Sequence, residues 1–161
     1  MKHQEKAEKT NVMRLLDKAK ISYLSHCYLG SGALSGEEVA AALGQDPARV
    51  FKTLVTAGKT GNHYVFVIPV GRELDLKKAA AACGEKSVAM VKSKELLPLT
   101  GYVHGGCSPI GMKKPFPTFF HESAAEFPTI MFSAGKIGYQ VELPLEALAG
   151  FLPYSLKDLV C

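Results

Sequence analysis

Apolar residues recur at Val12, Leu15, Leu16 and Ala19, the spacing that gathers one stripe along a helix, with Thr10 or Asn11 placed to cap its start. Residues 21–29 then alternate, Tyr23, Ser25 and Cys27 on one face and Leu24, His26 and Tyr28 on the other, which predicts a strand. Gly30 and Gly32 break it. Ser35 followed by Glu38 reads as a capping box opening a helix that runs to about Gly44, and Asp46-Pro47 resets a short helical turn. The apolar runs 51–56 and 64–70, separated by Gly58 and Gly61, predict a hairpin with a longer loop. Asp75 caps a helix over 76–83 that Gly84 ends, 88–91 reads as a small strand, and Ser93 begins a further short helix.

Beyond Gly101, residues 102–104 read as a short β-like piece, and 118–121, 129–134 and 139–143 as strands, the last two joined by a turn between Gly135 and Gly138. A last helix is expected over 144–150. Many strands mixed with helices of unequal length predict an α+β fold, a mixed and mostly antiparallel sheet of barrel-like form flanked by helices, rather than a doubly wound repeat. The 161 residues suit one domain over 1–161, with 1–10 as a flexible lead.

Composition narrows the function classes. A hydrophobic share of 47% beside 21% charged residues is that of an ordinary globular chain. The polar, charged start lacks the apolar stretch of a secretory signal, and no apolar run approaches the ~20 residues that span a bilayer, so a cytoplasmic protein with no membrane partner is expected. Cys27, Cys83, Cys107 and Cys161 stand singly, without metal-ligand spacing, which predicts reduced thiols, the first three packed as small hydrophobes and the last on the C-terminal residue, and no structural zinc. A net charge of +4 favours polyanionic partners without announcing one. No glycine-rich phosphate loop opens a helix after a strand, so no nucleotide cofactor is expected.

Three places carry candidate chemistry. Lys52 interrupts an apolar strand, either pointing to solvent opposite Phe51 or standing as a fixed cation for a phosphate or ester oxygen. The loop Gly105-Gly106-Cys107-Ser108-Pro109-Ile110-Gly111 is either a plain turn or a set of backbone N–H groups able to polarise a carbonyl. Within it, Cys107 with His104 as base is a rival, thiolate reading. The turn from Ser133 to Gly138 is the third. No Ser-His-Asp order, zinc-protease motif or paired carboxylates accompany them.

At these residues the sequence resembles the YbaK/EbsC family of Cys-tRNA(Pro) deacylases, relatives of the editing domain of bacterial prolyl-tRNA synthetases. The likeness is carried by Asn11-Val12-Met13-Arg14-Leu15-Leu16-Asp17, Val50-Phe51-Lys52-Thr53-Leu54-Val55, Leu74-Asp75-Leu76-Lys77-Lys78-Ala79-Ala80, the segment from Gly101 to Gly111, and Ser133-Ala134-Gly135-Lys136-Ile137-Gly138. It spans nearly the whole chain. The resemblance implies a trans-editing hydrolase that removes cysteine from mischarged Cys-tRNA(Pro), and from Cys-tRNA(Cys), without metal or cofactor. Its partners would be the aminoacylated 3′ end of tRNA and, transiently, prolyl-tRNA synthetase. Lys52 would hold the terminal adenosine and Gly105 would line the catalytic pocket. Tyr28, Gly106, Ser108, Ser133, Gly135 and Gln140 would bind substrate.

In that family the mechanism is framed as substrate-assisted, the cysteine thiol attacking its own ester. Two departures stand out: Ser35 where the family often has an aromatic residue, and Gln140 where some members have an acid. Two alternatives stay open beside the leading reading. One is a deacylase for another small residue, as on Ala-tRNA(Pro); the other is a non-catalytic module that binds tRNA or a synthetase.

Overall fold

The computed structural model describes residues 9–161. The expected flexible lead falls mainly on residues 1–8, outside that range. Thr10 is buried and caps α1 (Asn11–Lys18), its hydroxyl accepting from the Met13 N–H, so that Val12, Met13 and Leu16 turn into the core. The second helix, α2 (Gly36–Ala42), starts at the expected capping box: the Ser35 hydroxyl takes the Glu38 N–H and the Glu38 carboxylate takes the Ser35 N–H. Helix α3 (Leu76–Cys83) is capped by Asp75 and closed by Gly84 in the left-handed region. Helix α4 (Ser93–Thr100) runs a turn longer than expected and ends at Gly101.

Eight strands are seen among the described residues: β1 (Leu24–Cys27), β2 (Phe51–Gly58), β3 (His63–Pro69), β4 (Val88–Met90), β5 (Thr118–His121), β6 (Ile130–Ser133), β7 (Tyr139–Leu143) and β8 (Ser155–Lys157). They form an α+β domain with two hydrogen-bonded sheets, ordered β1-β7-β6 and β4-β2-β3-β5-β8. Pairing is antiparallel except where β5 lies parallel to β3 and to β8. A parallel bridge between Val50 and Met131 joins the sheets at the entrance to β2. The main core lies between them, built on Phe51, Val55, Val65, Val67, Phe120, Phe132 and Val141. A second cluster, with Phe66, Ile68 and Leu159, packs beneath α3 on the other face of the larger sheet.

Three local expectations are corrected. Residues 102–104 form no strand: Tyr102 is buried and its N–H is bound by the Thr100 hydroxyl, which holds a turn rather than a ladder. The expected last helix is a single 3-10 turn, Leu145–Leu148, entered from Pro144. Of the thiols, Cys107 is buried and Cys83 half-buried, but Cys27 is exposed on the edge strand β1 rather than packed.

Strand β4 pairs with β2 only through Thr56↔Met90, Ala57↔Ala89 and Gly58↔Val88. The opening half of β2 is therefore uncovered on that side, and a cleft occupies the gap.

Candidate functional site

The cleft measures about 540 Å³ and is walled by both sheets, α2, the start of α4 and the glycine loop. Lys52 and Thr53 come from the uncovered stretch of β2, His104, Gly105 and Cys107 from the loop, Ser133 from β6, Gln140 from β7, and Tyr28 from the end of β1. Apolar walls are supplied by Phe51, Val55, Val70 and Leu96. The combination is that of a ligand pocket: mostly apolar, with a few convergent polar groups.

Lys52 is half-buried in this wall, and its ammonium has no hydrogen bond or ion pair among the described residues. Solvent and cleft are here the same direction, because β2 is an open edge at this point. Among the described residues, no carboxylate lines the cleft. A cation in an apolar setting favours an anionic or strongly polar ligand, since no described residue answers its charge.

Gly105 lines the cleft at φ +89°, with the Ile137 side chain 3.8 Å from where a Cβ would stand. That backbone is strained for any L side chain. Its N–H, like that of Cys107, has no acceptor among the described residues. Gly106 sits behind it, its N–H bonded to the Val103 carbonyl and its Cα pressed against the Ile137 backbone, 3.1 Å from an added Cβ. Ser108 is fully buried, its hydroxyl accepting from the Ile110 N–H. Gly135 packs under Tyr102 and Val12. Gly106, Ser108 and Gly135 thus shape the loop and turn without lining the cleft.

Tyr28 is buried, tied by its N–H to the Gly138 carbonyl at 2.8 Å. Ser133 accepts from the Gly135 N–H at 3.1 Å. Ser35 lines the mouth beside the exposed Leu34, its hydroxyl engaged by the cap of α2. Gln140 is only 7% exposed and its carbonyl oxygen is sealed from water without a hydrogen bond. The Thr53 hydroxyl, which no local sequence pattern sets apart from that of any strand threonine, is in the same state. Only the three-dimensional contacts reveal it.

The thiolate reading fails on its electrostatics. Burial pushes the Cys107 thiol up to about 12, against a weak opposing contact with Thr100. At neutral pH it is a thiol, packed in the main core. Among the described residues, no group of three or more His, Cys, Asp or Glu side chains is placed to hold a metal, and no helix is long and apolar enough to cross a membrane.

An uncovered strand edge bearing a lysine, and a glycine loop whose N–H groups have no acceptor among the described residues, line one cleft, a setting suited to a polar, anionic end group. The aminoacyl-tRNA editing domain family model matches residues 30–151, and the chain belongs to that family. A protein of Enterococcus faecalis provisionally named Cys-tRNA(Pro)/Cys-tRNA(Cys) deacylase EbsC is 49% identical over 142 residues, covering 88% of this chain and 87% of its own. A solved structure provisionally described as a trans-editing enzyme for prolyl-tRNA synthetase superposes with a TM-score of 0.79 at 25% identity, over 93% of this chain and 94% of its own. A hypothetical protein with a TM-score of 0.84 and 21% identity, covering 96% of this chain and 100% of its own, shares the fold.

Proposed function

We propose that this chain is a trans-acting aminoacyl-tRNA deacylase that hydrolyses the ester of cysteine mischarged on tRNA(Pro), and of Cys-tRNA(Cys). The observation that carries the reading is Lys52: the only Lys, Arg, Asp or Glu among the described cleft-lining residues, without a protein partner, on an open strand edge. The editing-domain family and the name of the 49% identical relative support the substrate class.

In this reading Lys52 binds the phosphate or ribose of the terminal adenosine, a charge-assisted contact worth about 1.5–3 kcal/mol. The free N–H groups of Gly105 and Cys107 face the ester carbonyl oxygen and stabilise the negative charge it gains. Among the described residues the cleft lining has no carboxylate to act as base, and the buried thiol of Cys107 stays protonated. The substrate therefore supplies its own nucleophile. The cysteinyl sulfur attacks the ester carbonyl carbon, the carbon–oxygen bond to the ribose breaks, and the thiol proton passes to the ribose oxygen. The products are free tRNA and a cysteine thiolactone that water opens to cysteine. The protein contributes position and polarisation, which is where proximity catalysis gains most of its effect.

Tyr28, Ser133 and Gln140 complete the pocket around the aminoacyl group, while Gly106, Ser108 and Gly135 hold the walls in shape. Prolyl-tRNA synthetase, the source of the mischarged tRNA, is a transient partner; the likeness to a structure described for trans-editing beside that synthetase supports this. The test is release of labelled cysteine from preformed Cys-tRNA(Pro) with EDTA present and Ala-tRNA(Pro) alongside. Rapid, chelator-resistant loss of cysteine alone is expected. Equal loss of alanine would refute self-attack by sulfur, and no loss from either substrate would leave a binding module.

A further inference from the structure

Two oxygens in the cleft wall are sealed from water and bonded to nothing among the described residues: Gln140 Oε1 and Thr53 Oγ1. They come from different sheets, β7 and the uncovered half of β2. Buried acceptors left unmatched are rare, because each loses its bonds to water without replacement. Gln140 is 7% exposed, and both of its direct cross-strand neighbours, His26 on β1 and Ser133 on β6, are engaged elsewhere. The His26 ring binds the Glu142 carboxylate at 2.8 Å, and Ser133 holds the Gly135 N–H. Neither turns to the amide.

We infer that Gln140 Oε1 and Thr53 Oγ1 together form a subsite for a free α-amino group, so that the cleft accepts aminoacyl esters and refuses those whose nitrogen is acylated, as in peptidyl-tRNA. This rests on the deacylase reading and says which part of the substrate the two oxygens hold. An aminoacyl end brings three kinds of donor: α-amino N–H groups, ribose hydroxyls and the side-chain thiol. In the deacylase reading Lys52 takes the ribose or phosphate end of the adenosine, and a thiol is a weak donor. The amino group remains, with several N–H bonds to share between two acceptors. Both acceptors are neutral, so they hold an amine without forming an ion pair with Lys52, as a carboxylate in their place would. Acylation leaves a single N–H and adds bulk at the nitrogen, in the cleft that both residues line.

Hydrolysis of cysteinyl-tRNA and N-acetylcysteinyl-tRNA is compared for the unmodified protein, Gln140→Leu and Thr53→Val, with thermal unfolding run on each. Acetylation is expected to lower kcat/KM of the unmodified protein roughly 10-fold or more, the scale of one buried polar group left unmatched. Each variant loses a similar factor on cysteinyl-tRNA and then discriminates less than about 3-fold, since one of the two partners is gone and the single N–H of the acylated nitrogen can serve the other. Thr53→Val keeps the strand's shape, so it reports on the subsite even where Gln140→Leu unfolds. Equal rates on both substrates with the unmodified protein, or full discrimination by Thr53→Val, would overturn the subsite and leave the deacylase reading standing. No hydrolysis of cysteinyl-tRNA at all would remove the deacylase reading, and the subsite with it.

Discussion

The smaller sheet buries polar groups in two different ways within a few ångströms of strand. Near its outer end, Glu142 on β7 gathers Arg49 at 2.5 Å, Thr129 at 2.6 Å and His26 at 2.8 Å, which fastens β1 and the entrance to β2 to one carboxylate. Desolvation raises the Glu142 proton affinity, but its three partners outweigh it and hold the carboxyl below its ordinary range. Two residues earlier on the same strand, Gln140 has no partner and faces the cleft. The contrast separates two uses of buried polarity. Where the carboxylate is answered on three sides, the network holds the fold, even with Arg49 Nε left unbonded among the described residues; where an acceptor is left open beside a cavity, it is placed to meet a ligand.

The largest effect is expected from breaking the Glu142 network. Glu142→Ala leaves Arg49 half-buried without its counter-charge and is expected to lower the unfolding free energy by about 3–5 kcal/mol, read by urea denaturation. Gln140→Leu, by contrast, removes a group that holds nothing and is expected to leave stability unchanged or slightly raised. A marked loss of stability in Gln140→Leu would erase the distinction.

A middle-sized effect falls on the loop. Gly105→Ala places a side chain at φ +89° and is expected to cost about 1–2 kcal/mol in stability. It also shifts the N–H proposed to face the ester, so hydrolysis is expected to fall further than the stability loss accounts for. Unchanged kcat/KM in a folded Gly105→Ala protein would remove the loop from the mechanism.

The smallest effect concerns the C-terminal strap, a second satisfied region. His121 Nδ1 accepts the Leu159 N–H at 3.1 Å, while Lys78 holds Asp158 and the Val160 carbonyl, each at 2.8 Å. Burial lowers the proton affinity of His121, partly opposed by Asp158. The unfolded chain therefore binds the proton more readily, so stability from this contact is fully present above about pH 6.5 and is lost as pH falls through the folded value. The loss is on the order of 1 kcal/mol, one hydrogen bond. His121→Asn keeps an acceptor without titrating, and is expected to flatten the pH profile of unfolding between neutral and mildly acidic conditions.

The elements most legible in the sequence are those whose signal is local. The cap at Ser35 and Glu38, the Asp75 start and Gly84 stop of α3, and the apolar runs of β2 and β3 each fold as their own residues dictate. Strand β8 escaped because all three of its residues are exposed, so it has no buried face to mark it. The final helix shrank to one turn because few residues separate Pro144 from Gly150. Lys52 and Gly105 stood out as residues odd for their setting. Thr53 did not, since a threonine in a strand is ordinary until its hydroxyl is seen to lack a partner. The Glu142 network joins residues 93 and 116 positions apart, a separation at which no local pattern speaks.

The central claim is that the unanswered charge on the open edge of β2 exists for the substrate. It is tested most directly by single-turnover hydrolysis of Cys-tRNA(Pro) by the unmodified protein and by Lys52→Ala, with the thermal midpoint of each. The expected result is a loss of about 10- to 100-fold in rate with the midpoint unmoved, the signature of a contact made only with ligand. An unchanged rate, or a rate loss matched by a fall in the midpoint, would contradict it.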